Sequence, residues 1–204
     1  MSGYERVVLN EAIKYIREEE IIKILSDFSC PLNKDVEYFL KHKAIEFARQ
    51  GLASTHLVFA QYKGSRVLAG YFALANKQIT ISQKNMNSFN SKFKRRLKRF
   101  AIYDMYLSQY IIPAPLIAQL AKNHNYSAYK LISGDELLKM ALDITSRVQL
   151  DIGGKVVYLE CEDNLKLLEF YESNGFVQCG KRKVDEDEID CINGRCLIQL
   201  MIYI

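Results

Sequence analysis

The stretch that decides the fold is Val156-Val-Tyr-Leu-Glu-Cys161, Glu162-Asp163, then Asn164-Leu-Lys-Leu-Leu-Glu-Phe-Tyr171-Glu-Ser-Asn-Gly175-Phe176. Its first six residues, bounded by Gly153-Gly154 and by Glu162-Asp163-Asn164, read as a buried strand. A short helix follows. Asp163 or Asn164 can accept hydrogen bonds from its first amides, and Leu165, Leu168 and Tyr171 fall on one helical stripe. Gly175 supplies the left-handed stop, and Phe176-Val177 opens the next strand. The unit is strand, polar crossover, helix, Gly-Phe, strand, with one tyrosine near the helix C-terminus.

Downstream of it lie a strand over 176–182, the acidic run Asp185-Glu-Asp-Glu-Ile-Asp190, an Asn193-Gly194 turn and a strand over 195–204. Upstream, Gly134 to Val148 reads as a helix with Leu137, Leu138, Ala141 and Ile144 inward, and Ile111 to Ala121 as a buried strand entered through prolines. Before that the period is two. Thr55–Tyr62, a turn at Lys63-Gly64-Ser65 and Arg66–Ala75 predict a hairpin, with Gln78–Ser82 extending the meander. The chain starts with a strand over Tyr4–Leu9 and a helix over Glu11–Phe28, broken by Cys30-Pro31. A second helix, capped by Asn33 or Asp35, carries Val36, Phe39, Leu40, Ala44, Phe47 and Ala48 inward and ends at Gly51.

With 204 residues, 49% hydrophobic and 25% charged, the chain has the size and composition of one globular domain with a sizeable core. No apolar run approaches a membrane span, and Met1-Ser-Gly-Tyr-Glu carries no charged-then-apolar leader, so a cytoplasmic protein without membrane contact is expected. Five cysteines, at 30, 161, 179, 191 and 196, show neither a CxxC pair nor ligand spacing with histidine. Reduced thiols and no metal site are the expectation. The net charge of +4 is modest, but Lys92, Lys94, Arg95, Arg96, Lys98 and Arg99 crowd one segment. In the surrounding 84–109, Phe93, Leu97 and Phe100 can pack while the cations face water, as a solvated face or a phosphate contact.

The strand–helix–Gly-Phe unit resembles the acetyl-CoA-binding half of the GCN5-related N-acetyltransferases. Asn164, Leu167, Phe170, Tyr171, Gly175 and Phe176 match the family's pattern in register. Phe28-x-Cys30, the two-helix approach, the strand pair and Gly70-Tyr-Phe-Ala-Leu-Ala75 are similar to the N-terminal half of the subfamily that includes toxins acetylating aminoacyl-tRNA. The resemblance covers nearly the whole chain. It implies one α/β domain over 1–204, with a mixed, mostly antiparallel twisted sheet flanked by helices, splayed central strands, and 84–109 as a basic insertion.

The resemblance also implies acetyl-CoA as cofactor and direct attack by a primary amine in a ternary complex. The amine belongs to a small molecule, a peptide or an aminoacyl-tRNA, and a homodimer is compatible. On the matching positions, main-chain groups of Leu120, Ala121 and Lys122 run along the pantetheine arm. Lys130, Leu131, Ile132, Ser133 and Gly134 lie under the pyrophosphate at a helix N-terminus, where amides and dipole favour anions. Asn164 bonds the pantetheine or the strand end, and Tyr171 is the general acid, a phenol of ordinary pKa about 10 facing a thiolate of about 8.5. Glu160 and His124 are candidate bases, although an α-amino group of pKa about 8 needs no dedicated one. The chain departs from the family in the phosphate loop, where only Gly134 survives of the usual glycines. Two alternatives therefore stand beside the general transferase. One is a tRNA-directed, toxin-like enzyme using Lys92–Arg99; the other is a degenerate acyl-CoA-binding module without turnover.

Overall fold

The computed structural model describes residues 3–184 and 196–204. The acidic run Asp185–Asp190, Cys191 and the Asn193-Gly194 turn lie outside them. Eight strands form a mixed, mostly antiparallel sheet in the order β1-β2-β3-β5-β6-β8-β7, with β4 on β5, and helices flank it. The chain divides into two units.

The first unit comprises the chain up to Ala75 together with Ala118–Ala141. In it β1 (Glu5–Val8) pairs antiparallel with β2 (Ser54–Tyr62), which pairs with β3 (Ser65–Ser82). The expected third strand of the meander is the continuation of β3. A bulge opposite Val58 and Phe59 leaves Ala69 out of the ladder, and its carbonyl instead accepts from the Asn123 amide at 2.8 Å. Helix α1 (Leu9–Tyr15) and helix α2 (Glu18–Ser26) replace the single helix expected over Glu11–Phe28. The break falls at Ile16 and Arg17, both extended. Glu18, Glu19 and Glu20 then form the first turn of α2, where the helix dipole favours negative charge. Asn33 caps α3 (Lys34–Tyr38), its side chain accepting from Val36, and a π-helical turn (Phe39–Lys43) leads into α4 (Ala44–Gln50), stopped by Gly51 at φ +70°. Phe28, Leu25, Phe39, Leu40, Ala44 and Ala48 close over Leu57, Phe59 and Tyr71 to make this unit's core.

The second unit holds Asn76–Ile117, Leu142 to the end of β7, and β8. Helices α5 (Gln83–Ser88) and α6 (Ser91–Leu97) and the short β4 (Ile102–Asp104) lead to β5 (Gln109–Lys122). The β4 ladder stops at Ile111 because Pro113 has no N–H to continue it. β5 pairs in parallel with β6 (Val156–Glu162) at Leu116↔Tyr158 and Ile117↔Leu159. β6 pairs antiparallel with β8 (Cys196–Tyr203), and β8 with β7 (Val177–Lys183). Between β6 and β7 lies α8 (Leu165–Ser173), ended by Gly175 at φ +86°. Two inward assignments change. Leu165 is exposed, since it sits at the first helical position beyond the sheet end; Leu168 and Tyr171 are buried. On α7 (Gly134–Ile152) Ile144 is only half-buried, and the inward stripe continues from Ala141 to Thr145 and Gln149, whose side chain donates to the Val156 carbonyl at 2.8 Å. A four-residue spacing keeps those positions in line along the axis.

His56 is buried on β2 and stacked on Phe72, with ring centroids 4.8 Å apart. Its pKa falls to about 4 because burial disfavours the cation, with the Arg6 charge adding to the effect. Unfolded, it titrates near 6.5. Between those values the unfolded chain binds the extra proton, so stability is lost as pH falls from 6.5 toward 4, by up to about 3 kcal/mol. Urea unfolding of the wild type and of His56→Gln across this window should show a slope that the variant lacks. Parallel curves would remove His56 as its source.

Candidate cofactor and acid site

All the candidate cofactor residues except Asn164 fall in the first unit, where β5 ends and α7 begins. Asn123, 3% exposed, follows directly on the expected pantetheine positions Leu120, Ala121 and Lys122. Its side-chain amide donates to the carbonyls of Asp27 at 3.1 Å and Leu68 at 2.9 Å. Its oxygen accepts from the amides of Ser29 and Asn125, each at 3.1 Å. With the main-chain bond to Ala69 and the His124 amide on the Ser29 carbonyl at 2.8 Å, the end of β5 is tied to β3 and to the link after α2. Gly70 completes the junction. A Cβ there would stand 2.9 Å from the Ala121 carbonyl oxygen and 3.4 Å from the Lys122 Cα, so only glycine lets β3 approach this main chain.

A 3₁₀ turn (His124–Tyr129) leads to Lys130, which takes φ +47°, a left-handed conformation that glycine would adopt without strain. The loop thus turns sharply without the family's glycines. Its last residues are held from two sides. Tyr4 Oη lies 2.9 Å from the Leu131 carbonyl and 3.1 Å from Glu136 Oε2, so its proton is shared between them. Ser133 is the N-cap of α7. Its amide and hydroxyl both donate to Glu136 Oε2 at 2.9 Å, and the Glu136 amide donates to Ser133 Oγ at 3.1 Å. This is a capping box, and it occupies the Ser133 amide, one of those expected to face phosphate. The Ser133 hydrogen bonds, its amide foremost, hold the Glu136 carboxyl below its usual range, so the helix N-terminus already carries an anion. Lys122 and Lys130 are exposed and precede it in the chain; Ile132 is buried, and Gly134 begins the helix. An anion brought to this helix start would meet the Glu136 carboxylate first, with Lys122, Lys130 and the Gly134 amide as the groups available to offset it.

Asn164 and Tyr171 belong to the second unit. Asn164 is exposed and its side chain accepts from the Lys166 amide at 3.0 Å, so it caps α8. Tyr171 is buried, packed edge-on against Phe170 at 4.9 Å and Phe176 at 5.8 Å. Burial first, then the Cys161 thiolate charge, raises its phenol above the ordinary tyrosine range. It is a protonated group near neutral pH, as an acid must be. Glu160 is committed elsewhere: Arg182 Nε donates to it at 2.8 Å and Gln199 Nε2 at 2.9 Å. His124 has its Nδ1 buried and without a partner among the described residues. Ser54 and His56 are 3.2 Å apart, but Arg6 lies 2.7 Å from Nδ1 and can only donate. The proton of the neutral ring is therefore on Nε2, and the histidine cannot accept one from Ser54. Among the described residues no group of three or more His, Cys, Asp or Glu side chains could hold a metal ion.

Sequence reasoning missed Asn123, Tyr4 and Glu136. The last had a legible signal in Ser133-x-x-Glu136, the capping-box spacing. The others act over sequence separations that no local pattern marks.

No family model and no curated protein matches this chain. Solved structures do. A tyrosine-to-phenylalanine mutant of the AtaT toxin, bound to the C-terminus of the antitoxin AtaR and acetyl-CoA, is 16% identical with TM-score 0.60, over 98% of this chain and 93% of that one. AtaT complexed with acetyl-methionyl-tRNAfMet is 17% identical with TM-score 0.61, over 96% and 93%. A tyrosine-to-phenylalanine mutant of KacT is 16% identical with TM-score 0.61, over 96% and 94%. At these identities the likeness establishes the fold: this chain shares that of AtaT and KacT, as the resemblance to the GCN5-related N-acetyltransferases implied.

Replacing Asn123 with Ala takes their side-chain partner from the buried Leu68 carbonyl and from the amides of Ser29 and Asn125, while the Asp27 carbonyl keeps the Asn125 side chain at 2.6 Å. A loss on the order of 3 kcal/mol in urea unfolding is expected, and a loss below about 1 kcal/mol would show water taking over these bonds.

Proposed function

We propose that this protein is an acetyl-CoA-dependent N-acetyltransferase acting on a primary amine. The observation that carries the reading is the junction from Ala121 to Gly134, where Asn123 and Gly70 fix the main chain and two exposed lysines, Lys122 and Lys130, precede a helix N-terminus. Support also comes from the fold, since AtaT structures with the same architecture contain acetyl-CoA. The cofactor supplies an activated acetyl thioester. The chain's own groups do the rest. Main-chain groups of Leu120, Ala121 and Lys122 hold the cofactor arm as an added strand would be held. Lys122, Lys130 and the Gly134 amide offset the phosphate charge, with Leu131, Ile132 and Ser133 shaping the turn. Asn164 sets the start of α8 and so the placement of Tyr171 on it.

Tyr171 Oη gives its proton to the departing sulfur as negative charge builds there. The burial that keeps the phenol protonated also weakens it as an acid, so the transfer occurs late, against a nearly formed thiolate. Glu160, bonded to Arg182 and Gln199, is not assigned as base. An amine that is partly neutral at working pH attacks without one.

A second reading has a specific observation behind it. From Asn76 to Tyr103 the chain holds eight lysines and arginines and no acid. This favours an acceptor amine carried on RNA, as in the AtaT complex with acetyl-methionyl-tRNAfMet. Screening thiol release over small amines, peptides and aminoacyl-tRNAs separates the two acceptor classes. No release from any of them, with acetyl-CoA still bound, would leave a binding module.

Acetyl-CoA should raise the melting temperature by mass action. Tyr171→Phe should keep that shift while lowering turnover about 10²-fold; unchanged turnover would remove the assigned acid. Glu136→Gln keeps the capping geometry and deletes the carboxylate charge. It should tighten acetyl-CoA binding several-fold at low salt, and an unchanged affinity would move the phosphates elsewhere.

A further inference from the structure

The segment between β3 and β5 plays no part in acyl transfer as derived above, and its chemistry is concentrated. Ser82 caps α5, accepting from Asn85 at 3.1 Å, and Asn90 caps α6, accepting from Phe93 at 2.9 Å. Met86, Phe89, Phe93, Leu97 and Phe100 pack into the second unit's core, which leaves the cations on the outer face. Arg96 lies over the Tyr203 ring at 5.3 Å and Lys98 over the Tyr110 ring at 5.2 Å. Lys92, Arg95 and Arg99 are exposed and form no ion pair among the described residues.

The β4–β5 hairpin beside this helix is braced, yet its tip is apolar. Asp104 Oδ1 accepts from the amides of Tyr106 at 2.9 Å and Leu107 at 3.0 Å. The Gln83 amide donates to the Ser108 carbonyl at 2.9 Å, and Tyr103 Oη to the Gln83 side chain at 2.9 Å. Tyr103 packs on Tyr110, with ring centroids 4.8 Å apart. On this fixed turn Tyr106 is 94% exposed, Met105 71% and Leu107 67%. Turn tips normally carry polar residues; a braced turn that holds an aromatic ring in water presents a flat face at little entropic cost.

An exposed aromatic face on a hairpin that the basic helix reaches through Lys98 over Tyr110, with unneutralised cations on the same short segment, matches a chain that alternates phosphates with exposed π-faces. A duplex hides those faces, and an acidic peptide has none to offer. A bilayer would meet Asp104 at the point of insertion. We propose that α6 and the β4–β5 hairpin form a binding site for unpaired nucleic acid, with Tyr106 stacked on a base and Lys92, Arg95 and Arg99 on the flanking phosphates. This deepens the RNA-directed reading by naming contacts. Because binding is measured without turnover, the failure of one does not carry the other. Neither stacking nor phosphate contact reads a 2′-hydroxyl, so single-stranded DNA and RNA of one sequence bind alike.

The test is fluorescence anisotropy on the full chain with labelled single strands of about 12 nucleotides, at several salt concentrations. Tyr106→Ala should weaken binding about tenfold and leave the salt slope unchanged. Reversing Lys92, Arg95 and Arg99 to Glu should weaken it further and flatten the slope by about two. The unchanged melting temperature and acetyl-CoA shift of both variants show that the fold is kept. Equal binding of Tyr106→Ala and wild type overturns the proposal. So does equal affinity for duplex and single strand, which reduces the site to a polyanion surface. Sedimentation of the protein with phosphatidylcholine–phosphatidylglycerol vesicles, lost in Tyr106→Ala, would assign the tip to membranes and overturn it as well.

Discussion

One buried side chain, Asn123, fixes the end of β5, the main chain proposed to run along the cofactor arm. Asn123 uses both amide protons and both oxygen lone pairs, all inside the first unit. A main-chain ladder could not do this, because Asp27 and Ser29 lie in the irregular link after α2, outside any strand. The bulge at Ala69 is part of the same device: it turns one carbonyl out of the β2–β3 register so that the Asn123 amide can reach it. Gly70, next in sequence, then allows the close approach that a side chain would block. If this strand end binds a ligand through its main chain, as proposed, such bracing from side chains would hold it without using the main-chain groups the ligand would take.

The sequence displayed the elements with local signals and concealed those without. Asn164, Tyr171, Gly175 and Phe176 lie within one short unit, and spacing alone gave its strand, helix and stop. The hairpin from Ser54 to Ala75 was equally legible through its two-residue period. The helix at Glu11–Phe28 was misread because apolar spacing continues across Ile16 and Arg17; only the placement of three glutamates at a helix start marks the break. Leu165 and Ile144 show the limit of a stripe drawn from periodicity, which ignores where neighbouring elements end. Asn123 was out of reach. A lone asparagine after a strand reads as a turn residue, and its partners lie 55 and 96 residues away.

The phosphate loop is where legibility and function part. The missing glycines set this loop apart from the family, and Lys130 adopts the left-handed conformation itself, at a cost on the order of 1 kcal/mol. That placement has a consequence. A glycine would make the turn freely and contribute no charge, whereas lysine makes it under strain and adds a cation at the helix start.

The opposing charge on Glu136 then has a physical rationale. Without a ligand, the amides at the start of α7 would be unsatisfied, and the capping box stabilises them by about 1 kcal/mol. Tyr4, donating to the Leu131 carbonyl and to Glu136, anchors the same box to the N-terminal segment ahead of β1. The helix start is thus satisfied by the protein's own carboxylate. The diphosphate proposed for this site would have to displace or share with that carboxylate, so its affinity would depend on how far the proposed cations, Lys122 and Lys130, outweigh one glutamate more than on the count of glycines.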